Sequence, residues 1–215
     1  LYGFNGTLVG IAIGVFMPVS VASLSLLVAG ACLSAWIARL FSLQRRVPGF
    51  TAPFILSVWI LLAACRGMMP SLLLPSGNAV TAQSLSFLQA FCLNIGQVMF
   101  QGNTVLAGVL FLLGIMVNSR INGFYAALGA GLSIPFALLL GVDDAVLNAG
   151  LMGYNGVLCA IALGDKTWKG GAWATVAVLL SVLLQWGITT LTAPFVVAVW
   201  IVAGCRAGWK NRNRN

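Results

Sequence analysis

The 215-residue chain is 60% hydrophobic and 7% charged, with 11 Lys+Arg against 3 Asp+Glu and no His. Soluble domains carry about 25% charged residues, so these side chains cannot cover a water-facing surface. That excludes a soluble enzyme, a secreted disulfide mini-protein, a coiled coil and a disordered chain, while long continuous apolar runs exclude the ~10-residue alternation of a membrane β-barrel.

The expected class is therefore an all-α, polytopic membrane protein whose spans need ~20 apolar residues each. In chain order, residues 1–15 form an Asn-Gly element, 18–38 a span, 39–49 a basic loop and 50–65 a span. Residues 67–84, rich in Pro, Gly and Ser, read as a linker between two domains, 1–66 and 85–215. Spans are then expected over 85–100, 104–119 and 121–141, a second Asn-Gly element over 148–164, and spans over 171–187 and 190–205, before a polar tail. The total is about seven spans.

The chain repeats itself. Residues 1–14 (LYGFNGTLVGIAIG) and 151–164 (LMGYNGVLCAIALG) share eight of fourteen positions, and 50–60 (FTAPFILSVWI) and 191–201 (LTAPFVVAVWI) share seven of eleven. Two blocks in one order at similar spacing mark an internal duplication. About 65 residues precede the Asn-Gly block of the second copy and none precede that of the first, so the first copy is expected to lack its leading helices. Each Asn-Gly element has only about nine apolar residues after its glycines, which predicts a re-entrant half-helix. Such paired interruptions point to a transporter's site.

An odd number of crossings per copy predicts inverted repeats. Tracing sides places Arg39, Arg45, Arg46, Lys166, Lys169, Arg206, Lys210, Arg212 and Arg214 on one face, and Arg66 and Arg120 on the other. The first face is expected to be cytoplasmic, with the C-terminus there. The excess of +8 thus reads as topology signals and not as a nucleic-acid surface. Cys32, Cys65, Cys92, Cys159 and Cys205 read as small buried hydrophobes, and with no His there is no metal set.

LYGFNGTLVG, LMGYNGVLCAIALG, GQVMFQGNTVLAGVLFLLGI and the paired TAPF blocks resemble the urea transporter family along essentially the whole chain. The resemblance implies an inverted-repeat channel with ten spans and two re-entrant pore helices, a homotrimer in the inner (plasma) membrane. Urea would pass in single file, without a cofactor, through a filter between the repeats. It assigns Gln97, Val98 and Phe100 to the filter, with Phe4 and Leu8 from one copy, Tyr154 and Leu158 from the other, and Thr51 and Thr192 facing the pore. Tyr154 departs from the more usual Phe, so its hydroxyl is expected to alter the slot. Asn5 and Asn155 are expected to be structural, at half-helix ends.

The residues suit that solute. Urea is planar, neutral and rich in hydrogen-bonding groups, so its desolvation needs in-pore donors and acceptors. Gln97, the threonines and exposed half-helix termini supply them, and flat apolar side chains offer a hydrated ion nothing. Asp143, Asp144 and Asp165 lie at span ends, which favours passive conduction over ion coupling. Other small neutral solutes (short amides, ammonia, water) are the alternative, although the chain lacks a pore His pair and an Asn-Pro-Ala motif. A membrane aspartyl protease is disfavoured, since Asp143-Asp144 are neighbours and not a facing dyad.

Overall fold

A computed structural model describes residues 2–44, 47–74, 84–187 and 191–212, and the described residues are helical with no strand. They form two compact units, 1–79 and 80–215. The expected linker lies outside the described residues over 75–83, as do Arg45, Arg46 and Arg214.

The first unit contains α1 (Tyr2–Phe16), α2 (Val21–Gln44) and α3 (Ala52–Met68), closed by a 3₁₀ turn over Pro70–Leu72. In α2 the large residues Leu24, Val28 and Trp36 are exposed, while Ser23, Gly30 and Ser34 are buried. This inside-out pattern suits a lipid-facing helix that packs through its small residues. A Cβ at Gly30 would collide with Leu61 and 2.8 Å from Val9, so the three helices meet where α2 has no side chain. The helix α2 continues through Arg39 to Gln44, and thus occupies the first half of the expected basic loop.

The second unit comprises α4 (Phe87–Gly96), α5 (Val105–Asn118), α6 (Arg120–Leu139), α7 (Asp144–Asn148), α8 (Tyr154–Leu163), α9 (Trp168–Gly187) and α10 (Ala193–Arg212). Side-chain oxygens of Ser86, Thr104 and Ser119 accept from the first turns of α4, α5 and α6, which fixes where those helices start. Among the described residues, α2, α6 and α9 are long and apolar enough to cross a bilayer; the other apolar stretches, Ala193–Ala207 of α10 among them, have 10–17 residues.

Three expectations are corrected here. The run at 85–100 is not a span. The helix α4 stops after ten residues and passes through a 3₁₀ turn at Gln97–Met99, and the chain turns back at Phe100, whose φ is 59°. Ten residues rise only about 15 Å, half a bilayer core. The helix α5 then runs beside α4 in the same direction. Gly108 abuts the Cys92 carbonyl, and Val98 and Met99 share a 410 Å³ cavity with Gly114, Ile115 and Asn118.

The Asn-Gly elements, in turn, are not re-entrant. In the first unit α1 starts beside the α2–α3 connection, where Asn5 binds Phe50, and ends where the Phe16 carbonyl accepts from Leu74, beyond α3. In the second, α8 lies antiparallel to α6, with Gly156 against Gly129 and Gly164 against Tyr125. The stretch from α7 through α8 therefore returns the chain to the end where α6 began. Each element thus runs from one end of its unit to the other; α1 is continuous, and α8 is the shorter helix because the turn at 149–153 uses up part of the distance.

The third correction follows from the second. Arg120 lines one 640 Å³ cavity with Asp165, Lys166 and Trp168, so it shares an end of the unit with Lys166 and Arg206 instead of facing away. Arg206 Nη2 donates to Asp165 Oδ2 at 2.8 Å, and the Tyr125 hydroxyl donates to the Asp165 carbonyl at 2.7 Å. Cys65, Cys92 and Cys159 are buried as expected, but Cys32 and Cys205 are exposed.

Two predictions come from this packing. A Cβ at Gly129 would lie 2.6 Å from the Gly156 carbonyl oxygen, which is backbone and cannot give way. Gly129→Ala is expected to cost about 1–3 kcal/mol in overpacking, read as a lower thermal midpoint in detergent. Gly14→Ala meets nothing within 4 Å and should be neutral or gain up to about 1 kcal/mol of helix propensity.

The second concerns pH. The Thr167 hydroxyl and amide, then Arg206, hold the Asp165 carboxyl below its usual range. A lowered folded pKa means stability that is complete above the unfolded value and lost as pH falls through the folded one. The loss of midpoint caused by Arg206→Gln should therefore be constant from pH 8 to 5. It should shrink once pH drops below about 4.

Candidate functional site

The two copies carry one arrangement at the duplicated blocks. In the first unit Asn5 is fully buried in α1. Its Nδ2 donates to the Phe50 carbonyl at 3.2 Å, and its Oδ1 accepts the Phe54 N–H at 3.0 Å. In the second, Asn155 is fully buried in α8; its Nδ2 donates to the Leu191 carbonyl at 3.3 Å and its Oδ1 accepts the Phe195 N–H at 3.2 Å. Phe50 and Leu191 are the equivalent residues ahead of Thr-Ala-Pro-Phe, and both take a left-handed φ, 43° and 44°. The asparagines thus do cap a helix end, but that of another helix: α3 in one copy and α10 in the other.

The local reason lies in the Thr-Ala-Pro-Phe block. Its proline sits in the first turn, where its missing N–H removes one orphan donor. The next N–H along the turn belongs to Phe54 or Phe195, three residues past the threonine. A helix N-terminus ordinarily satisfies that donor with its own first side chain, but Thr51 makes no such bond. The asparagine of the neighbouring helix does so instead. Thr51 and Thr192 are buried, and their carbonyls accept from Ile55 and Val196 to open α3 and α10.

A second polar seam holds the half-helix α4. Asn94 Nδ2 donates to the Ala130 carbonyl at 3.0 Å and its Oδ1 accepts the Gly153 N–H at 3.1 Å, joining α4, α6 and the start of α8. Asn148 Oδ1 accepts the Ser86 N–H at 2.8 Å, and its Nδ2 donates to the Ser84 carbonyl at 3.0 Å. Gly150, at φ 70°, lets the backbone approach Leu93 closely enough to make these joints. Gln97 Nε2 donates to the Ala149 carbonyl at 2.9 Å, which leaves Oε1 as an acceptor. The expected supply of free half-helix carbonyls is reduced, because Gly96 and Gln97 already accept from Gln101 and Phe100.

Among the residues nominated from sequence, Gln97 and Val98 lie on the 3₁₀ turn that packs against α8, and Phe100 forms the reversal after it. Tyr154 opens α8 and is buried, and Leu158 is half-buried one turn on. Thr192 completes this group through the Asn155–Leu191 joint. In the first unit Phe4 is 45% exposed on α1 while Leu8 is buried, and Thr51 lies across the Asn5 joint. Asn94 and Gln185 are not among the residues nominated from sequence. The structure makes both buried connectors, and only their amide character inside an apolar run could have flagged them.

The Tyr154 hydroxyl is already engaged. It donates to the Leu191 carbonyl at 2.5 Å and lies 3.4 Å from Gln185 Nε2.

An apolar exterior, described residues that are all helical, several apolar helices and amide joints at the starts of α3 and α10 define a membrane protein. A urea transporter family model matches residues 1–206, and the chain belongs to the urea transporter family. It is thus a member of a transporter family and not an enzyme. Urea transporter 1 of Rattus norvegicus is 28% identical over 193 residues, covering 79% of this chain and 49% of that protein. Urea transporter 1 of Ovis aries is 31% identical over 132 residues, covering 54% and 34%. The chain therefore spans about half the length of the first and a third of the second.

The joints predict their own sensitivity. Asn155→Ala removes the side-chain acceptor of the buried Phe195 N–H, and Asn5→Ala removes that of Phe54. Each should cost about 1–3 kcal/mol, the lower values applying if the unfolded chain finds partners in the membrane. Thermal unfolding in detergent reads the loss.

Proposed function

We propose that this protein conducts urea passively across a membrane, and the observation that carries the reading is the family match over residues 1–206. The filter residues are Gln97, Val98, Phe100, Tyr154, Leu158 and Thr192 of the second unit, with Phe4, Leu8 and Thr51 of the first. The resemblance adds inverted repeats, a homotrimer and an inner-membrane location. The gathering of Arg120, Lys166 and Arg206 at one end of the second unit supports a cytoplasmic C-terminus.

The chemistry follows from hydrogen-bond supply. Urea loses water contacts on entering a narrow path, and each must be replaced for passage to be fast. Gln97 is held by Ala149 through its Nε2, so its Oε1 is fixed in place as an acceptor for urea N–H. Val98 packs on the buried cluster of Ile95, Ala126, Ala130 and Val157, which stiffens the turn. Phe100 adds a flat apolar wall. None of these groups carries a charge, so an ion gains no compensation for its lost hydration.

Stopped-flow light scattering on proteoliposomes of the full-length protein tests this. An inward urea gradient should give fast urea entry. Gln97→Leu should reduce it about tenfold or more, the equivalent of one lost hydrogen bond of ~1.4 kcal/mol, while Gln97→Glu keeps an acceptor and most of the flux. Unaltered flux in Gln97→Leu would remove Gln97 from the filter.

A further inference from the structure

One side chain in the second unit touches three successive parts of the broken crossing. Gln185 sits at the end of α9 and is 3% exposed. Its Nε2 donates to the Leu151 carbonyl at 3.1 Å, in the turn before α8, and reaches the Tyr154 hydroxyl at 3.4 Å. Its Oε1 accepts from Asn155 Nδ2 at 3.0 Å. The Tyr154 hydroxyl in turn donates a hydrogen bond to the Leu191 carbonyl. Tyr154 is therefore held at its far end, by a network that runs from α9 to the left-handed residue ahead of α10.

We propose that Gln185 is a positioning residue that sets the width of the urea path by fixing the Tyr154 ring. The inference rests on the reading that Tyr154 lines the filter. An aromatic side chain has two rotatable angles, and with only its root anchored the ring swings within the space its neighbours leave. Tethering the hydroxyl removes that freedom and turns the polar end of the ring towards protein groups. The tethered ring then presents apolar edge and face to the permeant, as a phenylalanine would. The first copy has Phe4 at the equivalent place, with no hydroxyl to tether, so the device belongs to the second copy alone.

Selectivity between urea and its bulkier relative N-methylurea reads this directly, because one methyl group tests the width of a slot. In proteoliposomes of the full-length protein, Gln185→Leu is expected to raise the methylurea-to-urea flux ratio about threefold or more, a partial loss of the roughly 10–200-fold that one methylene can discriminate. Tyr154→Phe removes the tether from the other side and should raise the ratio in the same direction. In the Tyr154→Phe background, Gln185→Leu should then add less than half of its own effect. A residue that merely supports the fold would lower the thermal midpoint of both proteins and leave the ratio alone.

Three results decide. If Gln185→Leu reconstitutes with an unchanged ratio, or changes it equally in both backgrounds, the proposal is overturned. If it fails to reconstitute, Tyr154→Phe alone decides: a raised ratio supports the tether and an unchanged one rejects it. Tyr154→Ala separates the two levels. An unchanged ratio there removes Tyr154 from the path and sinks the filter assignment along with this inference. A changed ratio there, with Gln185→Leu silent, rejects only the role of Gln185.

Discussion

A helix that starts in a buried place leaves backbone N–H groups with no water to bind, and each such group costs several kcal/mol if left alone. This chain meets that constraint twice with the same device. A buried asparagine on one helix accepts the N–H of Phe54 or Phe195 and donates to the carbonyl of Phe50 or Leu191. One amide thereby closes both sides of the break. An alanine at Asn5 or Asn155 would close neither, and an aspartate could accept but not donate, at the further cost of a buried charge. Both threonines lie next to these joints, and the Leu191 carbonyl of the second joint also accepts from the Tyr154 hydroxyl.

The sequence made part of this legible. Its composition led to a polytopic helical protein, and the two pairs of repeated blocks marked the segments that the joints bring together. Asn5 and Asn155 were identifiable as helix caps because asparagine is a capping residue. Which helix they cap was not, since the partners lie 45 to 49 residues away in one copy and 36 to 40 in the other. Length misled more than chemistry did. The run 85–100 is apolar throughout and reads as a span, because hydropathy does not register a reversal made by the backbone at Phe100. The second Asn-Gly element read as too short, because the turn at 149–153 and the short α7 add distance without adding apolar residues in sequence, and in the first α1 runs on as one helix to Phe16. Arg120 and Lys166 were placed at opposite ends as a direct result: only α6 was counted between them, and the stretch through α8 brings the chain back.

The polar joints share a type. Asn94, Gln97, Asn148, Asn155 and Gln185 each bridge two or more segments of the second unit, and none is ionisable. In a dry interior a neutral amide supplies donor and acceptor together without the desolvation penalty of a charge, which is several kcal/mol even when paired. A single such residue can therefore hold a broken backbone. The ionised groups are kept to the ends, where Asp165, Arg206 and Lys166 meet the aqueous boundary.

Urea is itself an amide twice over, with the same carbonyl acceptor and N–H donors that these side chains use against one another. On the proposed reading, its passage exchanges water for groups of the kind the interior already tolerates. Most of the amides are closed off, since Asn94, Asn148 and Asn155 have donor and acceptor both engaged across helices. Gln97 is bound through its nitrogen only and holds an oxygen in reserve. A solute competing for a closed amide would have to break a joint of the fold, whereas one pairing with Gln97 would not. The difference between a structural amide and a conducting one is thus a matter of which end is already bound, and it is settled by the Ala149 carbonyl more than by the identity of the side chain.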